Sequence, residues 1–294
     1  MTTQHEHLTI ADYKTSEASW WCPGCGDFGV LAALQKALLE LAIEPEKIAL
    51  VAGIGCSGKI GNYVNSYNIH VTHGRTMPAS LGVKLANREL TVIAAGGDGD
   101  GYAIGMGHFI HAIRRNPDIT YIVMDNQIYG LTKGQSSPTS GEGFHTRSTP
   151  EGTIEHPVRP MQLAISAGAT FVAQGYSSNQ KQLVSLIKAG VQHKGFALIN
   201  TISPCVTFNK VNTYDWYKQG LLNLDTVGDY DPSDKGKAMA LLMERDEMVN
   251  GLVYQNKESR SFDEKLPGFR EQGIVNQDWH TDKAAFEKIL ADYR

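Results

Sequence analysis

The stretch Thr91-Val92-Ile93-Ala94-Ala95-Gly96-Gly97-Asp98-Gly99-Asp100-Gly101 decides the fold. An apolar run without alternation, broken by glycine and aspartate, reads as a central parallel strand buried on both faces and ending in a turn. A helical stretch at 102–115 follows, and then Ile119-Thr120-Tyr121-Ile122-Val123-Met124 repeats the pattern and ends in Asp125-Asn126. Asp98 and Asn126 are 28 residues apart, about the length of one strand-helix-strand crossover. Both side chains are therefore expected at the same edge of a parallel sheet.

Further strands at 48–52, 169–173 and 196–201 and a helix at 29–40 extend the alternation outward. The fold class expected is α/β, a mostly parallel sheet flanked by helices. In such sheets ligands sit at the carboxyl ends of the strands, and three of those ends, at 53–58, 96–101 and 125–130, are rich in glycine and polar residues. The alternation fades after Thr201. Residues 206–294, with helical stretches at 235–249 and 282–293, read as an extension that packs on a neighbouring subunit, so the division expected is 1–205 and 206–294.

The chain has 294 residues, enough to bury a full core. Its net charge of -4 and the absence of a Lys/Arg stripe interleaved with aromatics exclude a nucleic-acid partner. No basic leader precedes an apolar run and no apolar stretch reaches about 18 residues, so a soluble, cytoplasmic protein with no membrane partner is expected. In that compartment the four cysteines are metal ligands or small buried residues and not disulfides.

A carboxylate and an amide oxygen at one sheet edge suit Mg2+, which takes few protein ligands and completes its shell with phosphate oxygens and water. The glycines around Asp98 allow backbone to approach a diphosphate, and the helix start near Tyr102 offers free N–H groups to it. Gly-Asp-Gly alone is ordinary turn chemistry; the Asn at the next strand end is what raises the metal reading above it. Asp98, nearest the strand, is preferred over Asp100 as the ligand. The pattern resembles the diphosphate motif of thiamine-diphosphate enzymes. That resemblance implies Asp98, Asn126 and the Ile128 carbonyl as Mg2+ ligands, with Gly99, Asp100, Gly130 and Leu131 around the diphosphate.

Cys22 and Cys25 form a Cys-Pro-Gly-Cys pair, with Cys56 31 residues further on and Cys205 149 beyond that. One pair and two singletons tilt toward a 4Fe-4S cluster, since structural zinc usually takes two close pairs, but the spacing leaves zinc and unrelated buried or redox cysteines open. Cys56 sits in Gly53-Ile54-Gly55-Cys56-Ser57-Gly58, beside the proposed cofactor edge. A cluster there can accept electrons, and zinc cannot.

Trp21-Cys22-Pro23-Gly24-Cys25-Gly26, the run from Gly53 to Asn62, the run from Gly96 to Gly101, and the run from Asp125 to Gln135 together resemble the β subunit of 2-oxoacid:ferredoxin oxidoreductases, in order, over roughly two thirds of the chain. The resemblance implies a thiamine-diphosphate-binding (PP-type) domain with a C-terminal extension. It implies thiamine diphosphate, Mg2+ and one 4Fe-4S cluster held by Cys22, Cys25, Cys56 and Cys205, with Ile54, Gly55, Cys56, Ser57 and His73 against the thiamine. His73 alone would read as a structural histidine. Lys59 is a candidate for a substrate carboxylate, with an exposed surface lysine as its plain alternative.

The family reaction is oxidative decarboxylation of a 2-oxoacid, or its reversal to fix CO2, with coenzyme A and ferredoxin. An α subunit is implied as the source of the pyrimidine-binding domain, in a dimer of αβ pairs. The run from Lys59 to Ser80 is most similar to the 2-oxoglutarate type, with pyruvate the alternative. Two other classes compete: a non-redox thiamine enzyme, which leaves the cysteines without a role, and an iron-sulfur or zinc module, which leaves Asp98 and Asn126 idle.

Overall fold

The computed structural model describes residues 8–266, 274–276 and 282–293. The first residues of the polar N-terminal stretch and parts of the C-terminal extension lie outside them. Among the described residues ten strands form an eight-stranded sheet and a small hairpin. They are β1 (Ile48–Ala52), β2 (Tyr67–His70), β3 (Thr91–Gly97), β4 (Ile119–Asp125), β5 (Ile128–Tyr129), β6 (Gln135–Ser136), β7 (Phe171–Tyr176), β8 (Phe196–Ile202), β9 (Leu222–Asn223) and β10 (Val249–Gln255). The sheet runs β2-β1-β3-β4-β8-β7-β10-β9, parallel from β2 to β7, with β10 antiparallel to β7. β5 and β6 pair separately.

Eight helices accompany the strands among the described residues: α1 (Asp27–Glu40), α2 (Thr76–Ala86), α3 (Met106–Arg115), α4 (Pro160–Ser166), α5 (Gln180–Gln192), α6 (Tyr214–Gly220), α7 (Lys235–Glu244) and α8 (Lys283–Ala291). The period of two in the strands divides the core into two layers. Leu50, Ile93, Ala95, Ile122 and Ile199 face α1 and α5. Ala49, Val92, Ala94, Tyr121 and Leu198 face the other way, onto α2, α3, α4 and α7. β1, β4, β7 and β8 are buried at every position, which explains why their sequences carry apolar residues on both faces.

The five expected strands and the helix at 29–40 are present, with shifted edges. β7 starts at Phe171 because Gly168, at φ +96°, still turns the chain. The helix expected from Tyr102 begins earlier: Asp98 and Gly99 are already helical, and a wide π turn over Asp100–Ile104 leads into α3. The helix expected at 235–249 stops at Glu244. Asp246 and Glu247 take left-handed backbone, and the chain reverses into β10. Residues 222–255 thus complete the same sheet and do not stand apart from it. Among the described residues no helix is long and apolar enough to cross a membrane.

Candidate active site

The sheet order brings the expected chemistry together. β1, β3, β4 and β8 are consecutive neighbours, and their carboxyl ends deliver Cys56, Asp98, Asn126 and Cys205 to one edge. Cys205 lies far away in sequence and arrives beside Asn126 because β8 pairs with β4, with Asp125 opposite Ile202. Asn209 in the loop after Cys205 donates its amide to the Asn126 carbonyl at 3.1 Å, tying the two loops. The Cys22–Cys25 turn is stitched to the end of β8: Gly26 N–H donates to Pro204 O at 3.1 Å. Gly26 is needed there, since a Cβ would fall 2.6 Å from the Ser203 hydroxyl and 2.7 Å from its backbone.

A cleft of about 480 Å³ opens at this edge. Its walls include Ile54, Gly55, Cys56, Ser57 and His73 from the first two turns, and Asp98, Gly99 and Asp100 from the third. Asn126, Ile128, Gly130 and Leu131 close the far side. Lys59 is the one expected site residue that does not reach it among those outside the cysteine set. It lines a neighbouring hollow with Glu17, Asn62 and Asn68, its Nζ 5.6 Å from the Trp20 ring.

Asp98 and Asp100 are both buried, but they differ in what they touch. Asp100 accepts from Ile54 N–H at 3.0 Å, Gly74 N–H at 2.8 Å and the Thr76 hydroxyl at 3.1 Å. His73 Nδ1 stands 3.0 Å from the same carboxylate. Gly53 makes room for it, because a Cβ there would fall 2.1 Å from Asp100 Oδ2. Asp100 therefore staples the 53–58 and 73–76 turns to the helix start.

Asp98 meets a different set. The Thr139 hydroxyl lies at 2.8 Å from its Oδ2, and Asn126 N–H at 3.5 Å from its Oδ1. The same hydroxyl lies 2.8 Å from Asp125 Oδ1. Burial, opposed by hydroxyl and backbone donors, pushes the Asp98 carboxyl up. Burial and then the Asp98 charge push Asp125 up to about 7. Two buried carboxylates that both resist ionisation form a place where a cation is favourable.

Asn126 accepts from Ile128 N–H at 3.1 Å, an Asx turn that points the following backbone into the cleft. Gln127 between them takes φ +55°, held by the Ser140 hydroxyl on its carbonyl at 2.7 Å. Tyr129 donates its hydroxyl to Gly99 O at 3.2 Å, joining this turn to the Gly-Asp-Gly loop.

The cysteines share one corner. A Cβ on Gly130 would sit 3.6 Å from Cys205 Sγ and 3.7 Å from Cys56 Sγ. Cys25 lies in the electrostatic field of both, and Cys56 in that of Cys22. Burial and the Asp27 charge push Cys25 far up and Cys56 up to about 11, opposite to the lowered values of nucleophilic thiols. Among the described residues no group of three or more His, Cys, Asp or Glu side chains is arranged to hold a single metal ion.

Asp27, Asp125, Thr139, Ser140 and Asn209 were not singled out in the sequence. Asp27 is fully buried two residues after Cys25, accepts from the Ser203 hydroxyl at 2.5 Å, and is pushed up to about 6 by burial. The Ser137-Pro138-Thr139-Ser140 run carries no spacing signal, and its function is visible only once the loop folds over β3 and β4.

Two family descriptions match the chain: the C-terminal TPP binding domain of thiamine pyrophosphate enzymes over residues 53–201, and the C-terminal region of the pyruvate ferredoxin oxidoreductase β subunit over residues 205–271. The chain is 44% identical over 272 residues to the β subunit of 2-oxoacid:ferredoxin oxidoreductase 2 of Aeropyrum pernix, covering 88% of each. It is 40% identical over 210 residues to the 2-oxoglutarate synthase subunit KorB of Archaeoglobus fulgidus, covering 71% of this chain and 78% of that one. A solved structure of 2-oxoglutarate:ferredoxin oxidoreductase from Magnetococcus marinus, with 2-oxoglutarate, coenzyme A and succinyl-CoA bound, superposes with a TM-score of 0.89 at 40% identity, covering 99% of this chain and 98% of that one.

Proposed function

The chain belongs to the β subunits of 2-oxoacid:ferredoxin oxidoreductases, and from that premise we propose that it carries thiamine diphosphate, Mg2+ and one 4Fe-4S cluster and acts on 2-oxoglutarate with an α subunit. The observation that carries the reading is the adjacency of β1, β3, β4 and β8, with Cys56, Asp98 and Asn126 lining one cleft and Cys205 Sγ next to Gly130 on its wall.

Asp98, Asn126 and the Ile128 carbonyl would hold Mg2+, and Gly99, Gly130 and Leu131 would surround the diphosphate. Asp98 is favoured over Asp100 because the Asp100 oxygens are already engaged by Ile54, Gly74 and Thr76. Asp100 then serves the cofactor indirectly, by fixing His73 and Ile54 on the wall where the thiamine would lie. Cys22, Cys25, Cys56 and Cys205 would hold the cluster. A cluster suits them better than one zinc ion, since thiolates on four irons stand farther apart than thiolates on one metal.

When bound, thiamine diphosphate supplies the electron sink for loss of CO2 from the 2-oxoacid, and the cluster takes up electrons one at a time. This chain's residues would orient and enclose: the buried Thr139 hydroxyl fixes Asp98, Ser140 fixes the turn carrying Ile128, and Tyr129 packs the Gly99 loop. Gly130, without a side chain, leaves Cys56 and Cys205 close to the cleft. The pyrimidine-facing carboxylate and the coenzyme A site are assigned to the α subunit, in a cytoplasmic dimer of αβ pairs that passes electrons to ferredoxin. In this assignment residues 1–205 hold the cofactors and residues 206–294 meet the partner subunit.

Pyruvate is the second reading, favoured by the match of residues 205–271 to the pyruvate enzyme's β subunit. Parallel assays of 2-oxoglutarate and pyruvate with the reconstituted α subunit separate them. A higher kcat/KM for 2-oxoglutarate is expected, and a higher value for pyruvate would reverse the assignment.

A further inference from the structure

We propose that Asn209 is a positioning residue that couples the cysteine corner to the metal turn, so that each cofactor tightens the site of the other. This deepens the reading that Cys205 is a cluster ligand and Asn126 a Mg2+ ligand, and rests on it. Up to Ile202 the backbone ladder joins β8 to β4, and Ser203 N–H still donates to Asp125 O at 2.9 Å. Beyond that point the two chains separate into loops. One carries Asn126 and Ile128, the other Cys205.

Asn209 bridges them. It is 2% exposed, and its side chain uses its full hydrogen-bonding capacity. Nδ2 donates to Asn126 O at 3.1 Å and to Asn212 Oδ1 at 3.2 Å. Oδ1 accepts from Val211 N–H at 3.1 Å and from Asn212 N–H at 2.9 Å. The Asn209 backbone N–H donates to Cys205 O at 3.1 Å. One residue therefore reaches from the proposed iron ligand to the proposed Mg2+ ligand. An amide suits both ends, because it carries two donor hydrogens and an oxygen that accepts twice.

The turn on the metal side depends on its neighbours. Gln127 takes φ +55°, a left-handed backbone unusual for a residue other than glycine. Three bonds surround it: Ile128 N–H to Asn126 Oδ1, the Ser140 hydroxyl to Gln127 O, and the Asn209 amide to Asn126 O. On the other side, the loop that holds Asn209 packs on both turns. A Cβ on Gly134 would fall 3.4 Å from the Phe208 ring, and a Cβ on Gly24 would fall 3.7 Å from Val206. Fixing one end of this loop narrows the conformations open to the other. A cofactor that orders its own site then lowers the ordering cost at the second site, and such coupling is reciprocal.

The test uses the αβ enzyme purified anaerobically, with iron content, α-subunit retention and melting checked in every variant. The Kd for thiamine diphosphate at saturating Mg2+ is measured by equilibrium dialysis, before and after iron is chelated away. In the unmodified enzyme the iron-loaded form is expected to bind about tenfold more tightly. Asn209→Asp keeps the acceptor for Val211 and Asn212 and loses the donor to Asn126, and is expected to bring the two values within about twofold. Asn209→Ser, uncharged and too short to reach Asn126, is expected to do the same, which separates the lost bridge from an added charge. A second readout needs no iron removal. Thiamine diphosphate and Mg2+, added without substrate to dithionite-reduced enzyme, are expected to change the line shape of the cluster's paramagnetic resonance signal in the unmodified enzyme and in neither variant. Equal Kd values for iron-loaded and iron-free unmodified enzyme would overturn the coupling. A tenfold difference that survives in both variants would overturn Asn209 as its carrier. Absence of iron or of bound thiamine diphosphate from the unmodified enzyme would instead overturn the proposed function on which the coupling depends.

Discussion

The Thr139 hydroxyl stands 2.8 Å from Oδ2 of Asp98 and 2.8 Å from Oδ1 of Asp125. One hydroxyl proton serves two buried carboxylates, so the arrangement is incomplete without a further proton or a cation nearby. Thr139→Val is expected to weaken Mg2+-dependent binding of thiamine diphosphate about tenfold, the loss of one buried hydrogen bond. Thr139→Ser, which keeps the hydroxyl, should restore most of it. Equilibrium dialysis of the cofactor across a Mg2+ series measures both.

Asp98 and Asp100 should part company when each is made an amide. Asp98→Asn is expected to lose Mg2+-dependent cofactor binding while the cofactor-free protein melts no lower, because a buried carboxylate that resists ionisation has been removed. Asp100→Asn is expected to destabilise the cofactor-free protein by about 2 kcal/mol, since Ile54 N–H, Gly74 N–H and Thr76 compete for one remaining carbonyl oxygen. The reverse pattern in denaturation and dialysis would exchange their roles.

His193 gives a pH dependence remote from the cleft. Burial pushes its imidazole down to about 4, and its Nε2 lies 2.8 Å from the Thr170 hydroxyl. The folded chain therefore favours the neutral ring. Its contribution is fully present above the ordinary histidine value near 6.5, and is lost as pH falls from there toward about 4. The loss is at most about 3 kcal/mol. Glu247, pushed up to about 7 by burial, acts oppositely: its contribution is present below the ordinary value of 4.5 and is lost as pH rises through about 7. Urea denaturation of the cofactor-free protein from pH 4 to 8 should show His193→Gln removing the first slope and Glu247→Gln the second.

Lys59 stands outside the cleft, in the hollow beside Trp20. If it steers the second carboxylate of 2-oxoglutarate from there, Lys59→Ala should lower the ratio of kcat/KM for 2-oxoglutarate over pyruvate about tenfold, about 1.4 kcal/mol of discrimination. An unchanged ratio would remove it from substrate recognition.

Strands buried along all or nearly all of their length are legible from sequence alone: β1, β3, β4 and β8 are apolar at nearly every position, and each ends where glycine, aspartate, asparagine or proline takes over. β2 is not, because all four of its residues are exposed at the sheet edge and carry no apolar pattern. β10 carries no strand reading in the sequence, where the helix expected at 235–249 runs up to its first residue. Its Val249, Leu252 and Val253 continue the apolar spacing of α7, and only the left-handed turn at Asp246 and Glu247 separates the two. The cleft residues from the glycine-rich turns were found because strand ends announce themselves. Thr139, Ser140 and Asn209 were not, since they act on those turns from loops whose position depends on tertiary packing. That Cys205 joins Cys56 follows from the pairing of β8 with β4, a fact of sheet order and not of spacing.

The central claim is that a thiolate-held iron cluster and a magnesium-anchored cofactor share one cleft edge. It is tested most directly by adding 2-oxoglutarate to the anaerobic αβ enzyme without ferredoxin and recording its electron paramagnetic resonance spectrum. The account predicts about four irons per β chain and a reduced-cluster signal that substrate induces, absent in Asp98→Asn although its iron is retained. Iron-loaded enzyme with bound thiamine diphosphate whose spectrum does not respond to any 2-oxoacid would contradict it.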